Sequence, residues 1–331
     1  MANASLSAIE FGKSFESALG TNATPNVRLY GKSDVSPAFT FELDDNVRGH
    51  AFEASYTLTA KAQAGTLSGP ASSDWLALLF KYLMHARPTT TGVGDPYTHT
   101  WTDIATGSPM TGGFNQSGTH SWTFLAKIAA IASYIYRFDG CNLSSLTISG
   151  SGSGKVMLSA AVQGIGDIVA TTDPGTSPST EGYYIGRKTT LTVGGTTLST
   201  LLSSWSITFT NGIAVMDRAG STAGEGTSID HTGTFGVEFT YSTDEASASA
   251  NGALADYLAG TDRAVVLTIS GDSNRDTTIT LAKCQQVEGY PVRVNEHGVY
   301  VVERKVRALY DTGNTPDIFT VAVRNGVSAY T

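Results

Sequence analysis

The sequence has little charge and almost no cysteine. Only 15% of its 331 residues are Asp, Glu, Lys or Arg, and the basic ones are scattered through a chain of net charge −8. The basic stripe of a nucleic-acid binder is therefore missing. The two cysteines, Cys141 and Cys284, stand far apart in strand-like surroundings. They are expected to be buried thiols and not a staple, because free Cys behaves as a small hydrophobe. No apolar run approaches the roughly 18 residues of a membrane-crossing helix. The opening MANASLSAIEFGKSFESALG lacks the basic-then-apolar order of a secretory signal. The expectation is a soluble protein made in the cytoplasm, with no membrane contact.

Recognisable chemistry is scarce too. The histidines, His50, His85, His99, His120, His231 and His297, show no HExxH or paired ligand spacing. The recurrence of Thr-His-Thr-Trp at 98–101 and Thr-His-Ser-Trp at 119–122 would set His99 opposite His120 on a hairpin. Two imidazoles without carboxylates or thiols make a poor metal site, so cross-strand packing is the expected reading. Asp44, Asp45 and Asn46 lack the spaced oxygens of a calcium loop and read as turn chemistry. There is no Gly-x-Ser-x-Gly elbow, P-loop or dinucleotide fingerprint. Trp75, Trp101, Trp122 and Trp205 each lie in or beside an apolar pattern, as core or interface residues do, and not on a sugar platform. No catalytic residue, metal or cofactor is expected.

What the chain does have is glycine, 36 residues of it, with Ser, Thr and alternating Val, Ile and Tyr. That composition favours short strands and tight turns. An all-β fold is expected, as two tandem β-sandwich or half-barrel domains over 1–170 and 183–331 that each carry one α-helix. The Pro-, Gly- and Ser-rich stretch 171–182 reads as the linker. In the first half Ala38–Leu43 and Phe52–Ala60 form a strand and its return; in the second, Trp205–Phe209 and Phe235–Tyr241 do the same. SSDWLALLFKYLMHA changes period: Leu76, Leu79, Phe80 and Leu83 share a helical face, Ser72 or Ser73 caps it, and Pro88 follows. ALADYLAG is its shorter counterpart, with Leu254, Tyr257 and Leu258 on one face and Gly260 as the stop. Strands then resume at Trp122–Ile128, Ser133–Phe138, Leu143–Ser149 and Lys155–Gln163, and at Ala264–Ser270, Thr277–Cys284, Gly298–Tyr310 and Phe319–Arg324. Gly150–Gly154 is a hairpin turn, since no helix follows it to seat an anion. The similar order of elements in each half suggests a duplication.

The segment GCNLSSLTISGSGSGKVMLSAAVQG, residues 140–164, has a Gly-Cys start, a strand with alternate Leu, a Gly-rich hairpin and a second strand ending in Gly. It resembles a stretch of tailed-phage tail tube proteins, the siphophage-like major tail proteins. The likeness extends through THTWTDIATGSPMTGGFNQSGTHSWTF, VGGTTLSTLLSSWSITFTNGIAVMD and the closing FTVAVRNG. The resemblance implies a ring-forming β-sandwich whose inner sheet joins those of its neighbours, with rings stacked into the tube of a long non-contractile tail. Genomic DNA would transit its lumen without specific binding. Tape-measure, tail terminator and baseplate or tail-tip proteins would be its partners. Most such rings use six single-domain subunits; a duplicated chain would close the same lumen as a trimer with pseudo-sixfold symmetry, which is favoured here over a hexamer. Acids near the lumen would repel phosphate. Ring-to-ring contacts are expected from the loop 103–118, with Met110 and Phe114, and from 219–233. The first twenty residues, with Leu6, Ile9, Phe11 and Phe15, are a further arm able to dock on an adjacent ring. The competing readings are a capsid decoration protein, a carbohydrate-binding or adhesive β-sandwich, and an enzyme on a β-sandwich scaffold.

Overall fold

The structure, a computed structural model, describes residues 7–17, 23–43, 56–102, 121–128, 135–165, 168–198, 202–216, 228–231, 235–244, 257–288, 292–294, 300–309 and 318–330. The strands of the first half are β1 (Ser7–Phe11), β2 (Val27–Tyr30), β3 (Lys32–Ser33), β4 (Ser36–Leu43), β5 (Tyr56–Pro70), β6 (Thr89–Thr91), β7 (Tyr97–Thr102), β8 (Trp122–Ile128), β9 (Ile135–Ser151), β10 (Met157–Gly164) and β11 (Ile168–Ala170). Those of the second are β12 (Thr189–Val193), β13 (Thr196–Thr197), β14 (Leu202–Thr210), β15 (Ile213–Met216), β16 (Ser228–His231), β17 (Gly236–Asp244), β18 (Arg263–Ile269), β19 (Thr277–Gln286), β20 (Val292–Val294), β21 (Tyr300–Ala308) and β22 (Phe319–Asn325). The β-dominated expectation holds, and the helix α1 spans Ser73–Met84.

Two strand expectations change. The described part of Ser133–Phe138, from Ile135, and Leu143–Ser149 are one strand, β9, because Gly140 takes φ +67° inside it and lets the chain bend without breaking. Its first part pairs with β8 and β11, its second with β10 and β14. The strand returning from β4 is also longer than its alternation suggested. Tyr56–Ala64 pairs with β4, and Gln63–Pro70 pairs with β10.

All pairings along the order β4-β5-β10-β9-β14-β17-β21-β20 are antiparallel. Each half thus contributes four strands to one long sheet, joined at the β9–β14 seam. A second series runs β2-β1-β8-β9-β11 in the first half and β13-β12-β18-β19-β22 in the second. The β7–β22 pairing is another link between halves. The long sheet is open, since among the described residues β4 pairs only with β5 and β20 only with β21.

The helix forms where the period changes, and Ser72 caps it by accepting from Trp75 N–H at 3.4 Å. His85 ends it in the left-handed region at φ 49°, and the Asn211 amide donates to the Leu83 carbonyl at 3.1 Å. Instead of one apolar stripe, all of α1 is buried, because β7, β9 and β22 pack around it. Phe80 meets Phe209 edge-on at 5.1 Å, and Tyr82 stacks on Trp122 at 4.6 Å. One hydrophobic core therefore passes between the halves. Trp75, Trp101, Trp122 and Trp205 are all in it, and both thiols are free and buried.

Of the counterpart helix, a single turn at 257–259 is described, and Gly260 stops it at φ +63°. Leu254 lies outside the described residues. Leu258 is 75% exposed, so it does not share a packed face. No described helix is long and apolar enough to cross a membrane.

Candidate functional site

Alternation along the strands gives the long sheet two unlike faces. Leu146, Ile148, Leu158, Ala160, Ile207 and Phe209 point into the core and are buried. The opposite face carries Thr147, Ser149, Ser159, Ser206, Thr208 and Thr240, which are exposed or half-buried. Residues 145–151 of β9, with all of β10 and β14, contain no charged residue. The result is an uncharged face, rich in small hydroxyls on β9 and β14 and bordered by Met157, Ala161 and Gln163 of β10, centred on the seam where Thr147 and Thr208 sit opposite each other with their hydroxyls 3.0 Å apart. On β17 and β21 the face becomes charged, with Glu238 and Lys305 paired at 3.3 Å, and Glu303 and Arg307 nearby in sequence.

The seam is built from complementary sizes. Gly150 lies opposite Trp205 in the register, and a β-carbon there would stand 2.8 Å from the indole. The Gly-rich segment read as a turn thus also clears space for an aromatic ring on the adjoining strand.

The stretch 171–182 is stitched to both halves by polar groups. Thr171 N–H donates to the Ile135 carbonyl at 3.0 Å, and Arg28 meets Asp173 at 3.0 Å. Ser179 donates its hydroxyl to Asp74 at 2.6 Å, while Glu181 pairs with Arg275 at 3.0 Å and accepts from Gly326 N–H at 3.3 Å. Asn325 donates to Asp74 at 3.1 Å and to the Tyr330 hydroxyl at 2.7 Å. Burial raises the Asp74 carboxyl, with the Ser179 hydrogen bond acting against it. Hydrogen bonding to Arg275 lowers Asp95. These groups form a clasp around the connecting segment. Sequence reading missed Asp74, Ser179, Glu181, Arg275, Asn325 and Tyr330.

Of the residues expected at ring contacts, Phe11 is fully buried in β1, 5.3 Å from both Trp75 and Trp122. Phe15 packs on the core at 5.7 Å from Tyr82. Met110, Phe114 and the rest of 103–118 lie outside the described residues, as does 219–233 apart from β16. Leu6 also lies outside them. The described part of the arm is bound within its own chain: β1 lies between β2 and β8, and buried Glu16 accepts from Ser121, Thr123 and Gly140 at 2.5–2.9 Å. Its apolar residues reflect a strand and a core anchor, which is why they recur in an otherwise polar segment.

His99 is buried. Its Nε2–H lies 2.8 Å from the Val327 carbonyl and its Nδ1 2.9 Å from the Thr90 hydroxyl. Desolvation lowers its pKa, and its hydrogen bonds oppose that shift. His50, His120, His297 and Asp44–Asn46 lie outside the described residues. Among the described residues no cluster of His, Cys, Asp or Glu is arranged to hold a metal. Lys81 is buried in α1 with its amine 4.4 Å from the Phe15 ring centroid, and it donates to the Lys13 carbonyl. Burial first, and repulsion from Arg87 second, bring it down to about 7.

The sequence profile of a family described as phage tail tube protein matches residues 3–317, nearly the whole chain. No curated protein matches it.

Proposed function

Because the chain belongs to the phage tail tube protein family, we propose that it builds the hollow tube of a long non-contractile tail by closing into rings that stack, with the hydroxyl face of its long sheet lining the bore. The family makes it a structural component of the virion tail that self-assembles and associates with other tail proteins. Tape-measure, terminator and tail-tip proteins are the partners on this reading, and DNA passes through without being held.

The observation that carries the geometry is the open sheet with four strands from each half. Three copies would supply twenty-four strands. At ~4.8 Å spacing and ~40° tilt these close on a backbone circle roughly 48 Å across, or a bore of about 38 Å once ~5 Å of side chain is taken from each wall. Two copies give a backbone circle of roughly 32 Å and a bore near 22 Å, too tight for a hydrated duplex. Three is therefore the smallest ring that serves as a conduit. It supports the reading of the chain as two tube-type units, 1–170 and 183–331, joined through 171–182.

On this reading the bore is paved mainly with Ser and Thr, and not with the acids that the net charge suggested. Across residues 145–151 of β9, β10 and β14 a phosphate backbone meets no lysine or arginine, and Lys305 on β21 is already paired with Glu238 and Glu288. Met110 and Phe114, in the segment 103–118, remain the proposed ring-to-ring contacts, and the packing of Phe11 and Phe15 favours an intrachain role for those two. Negative-stain microscopy of the purified protein over a concentration series tests the function: hollow tubes support it, and particles that never stack, even with tail partners added, refute it.

A further inference from the structure

We propose that β20 of one copy pairs antiparallel with β4 of the next, and that this junction between subunits repeats the β9–β14 seam already present inside each chain. The inference rests on the tube reading and names the surfaces that would join.

Four observations carry it. First, β4 and β20 are the two ends of the long sheet, each paired on one side only among the described residues. Edges of this kind are templates for another strand. Second, the two quartets have the same spatial order. Taken in chain order as first to fourth strand, β4-β5-β10-β9 and β14-β17-β21-β20 both read first, second, fourth, third. In that correspondence β9 occupies the place of β20, and β14 the place of β4. The chain therefore already contains a formed example of the junction, with seven residues of β9 in register against β14, from Ser145↔Thr210 to Ser151↔Ser204.

The neighbouring sheet supports the same correspondence. β9 leaves the series β2-β1-β8-β9-β11 to enter the long sheet. In the second half β19 lies in the equivalent series and reaches β21 through Cys284–Gln286, and β20 follows it against the same strand.

Third, direction is consistent. Eight strands in unbroken antiparallel alternation leave the first and last running in opposite senses. A copy related by rotation about the tube axis then presents its β4 antiparallel to β20, as the seam requires. Fourth, the pairing slides in one sense across the sheet. β5 uses its early residues for β4 and its late ones for β10, while β21 meets β17 through Val301–Arg307 and β20 through Tyr300–Val302. A cumulative stagger is what closing tilted strands into a barrel demands.

The test uses the full-length protein with Arg293→Cys on β20 combined in turn with Ser36→Cys, Ala38→Cys or Thr40→Cys on β4. A short bis-thiol reagent tolerates a slip of one or two residues. Cys141 and Cys284 are buried, so single variants serve as silent controls. Assembled protein is treated and run on denaturing gels. Chain-to-chain products from at least one pair, absent from the single variants, are expected. Intact tubes in which no pair cross-links would overturn the junction and leave the tube reading standing. Absence of rings and tubes even for the unsubstituted protein would overturn both. Should the paired variants fail to assemble, a density map of unsubstituted tubes decides the matter: β20 beside β4 of the next copy is expected, and any other strand there refutes it.

Discussion

Lys81 ties the packing of α1 to pH. Its amine is buried with an acceptor carbonyl and two aromatic rings, and its pKa falls from 10.5 to about 7 on folding. Below pH 7 both states hold the proton and the folded state carries the cost of a buried charge. As pH rises from 7 toward 10.5 the folded amine has lost its proton while the unfolded one keeps it, so stability rises with pH. The full linkage is on the order of 5 kcal/mol, of which about 2 kcal/mol develops between pH 7 and 9. Urea titrations followed by tryptophan fluorescence, at fixed protein concentration and under dispersing conditions, read this directly. With an m-value near 3 kcal/mol/M, Lys81 alone should raise the midpoint by roughly 0.7 M over that interval, offset in part by the buried thiols Cys141 and Cys284, which stay protonated when folded while their unfolded counterparts begin to ionise. Lys81→Met, which keeps the unbranched stem, should flatten the climb. The buried tyrosines Tyr82, Tyr184 and Tyr330 are all raised by desolvation and stay neutral in this window. A flat profile in the unsubstituted protein, or the same slope in Lys81→Met, would refute the argument.

Two substitutions probe the long sheet. Gly150→Val drives a side chain into the Trp205 indole across the seam, and overpacking of this kind costs about 1–3 kcal/mol; a lowered urea midpoint with altered tryptophan emission is expected, and an unchanged midpoint would contradict the seam's packing. Thr208→Lys adds one unpaired cation per copy to the uncharged stretch of the hydroxyl face. Tubes assembled in the presence of a short duplex should then retain it at low salt and release it at high salt, while unsubstituted tubes retain none. Equal retention by both would argue against that face lining the bore.

The strands were readable wherever period-two alternation met a turn signal. Trp122–Ile128 appears with its expected ends, and the β9–β10 hairpin turns in the Gly-rich segment. The helix was readable from its change of period and its cap at Ser72. Beyond local pattern the reading weakened for physical reasons. Asp139-Gly140 has the composition of a turn, yet Gly140 serves as a bend within one strand. The clasp joins Asp74 to Ser179 and Asn325 across 105 and 251 residues, and each member alone looks like an ordinary surface polar residue. Phe11 and Phe15 are apolar for a core that the arm's polar neighbours concealed. The seam was hidden because β9 and β14 both alternate small hydroxyls with apolar residues, a pattern that any neighbouring strand of the same kind would satisfy.

On the proposed function, this chain closes into a hollow ring that stacks into a tube. Cross-sections of assembled particles by electron microscopy, with the mass of the smallest closed ring, test it most directly. A bore of about 38 Å and a ring of about 104 kDa, three times the 34.6 kDa of one chain, are expected. A six-chain ring would keep the tube and discard the trimer, whereas solid filaments or persistently dispersed single chains would contradict the claim itself.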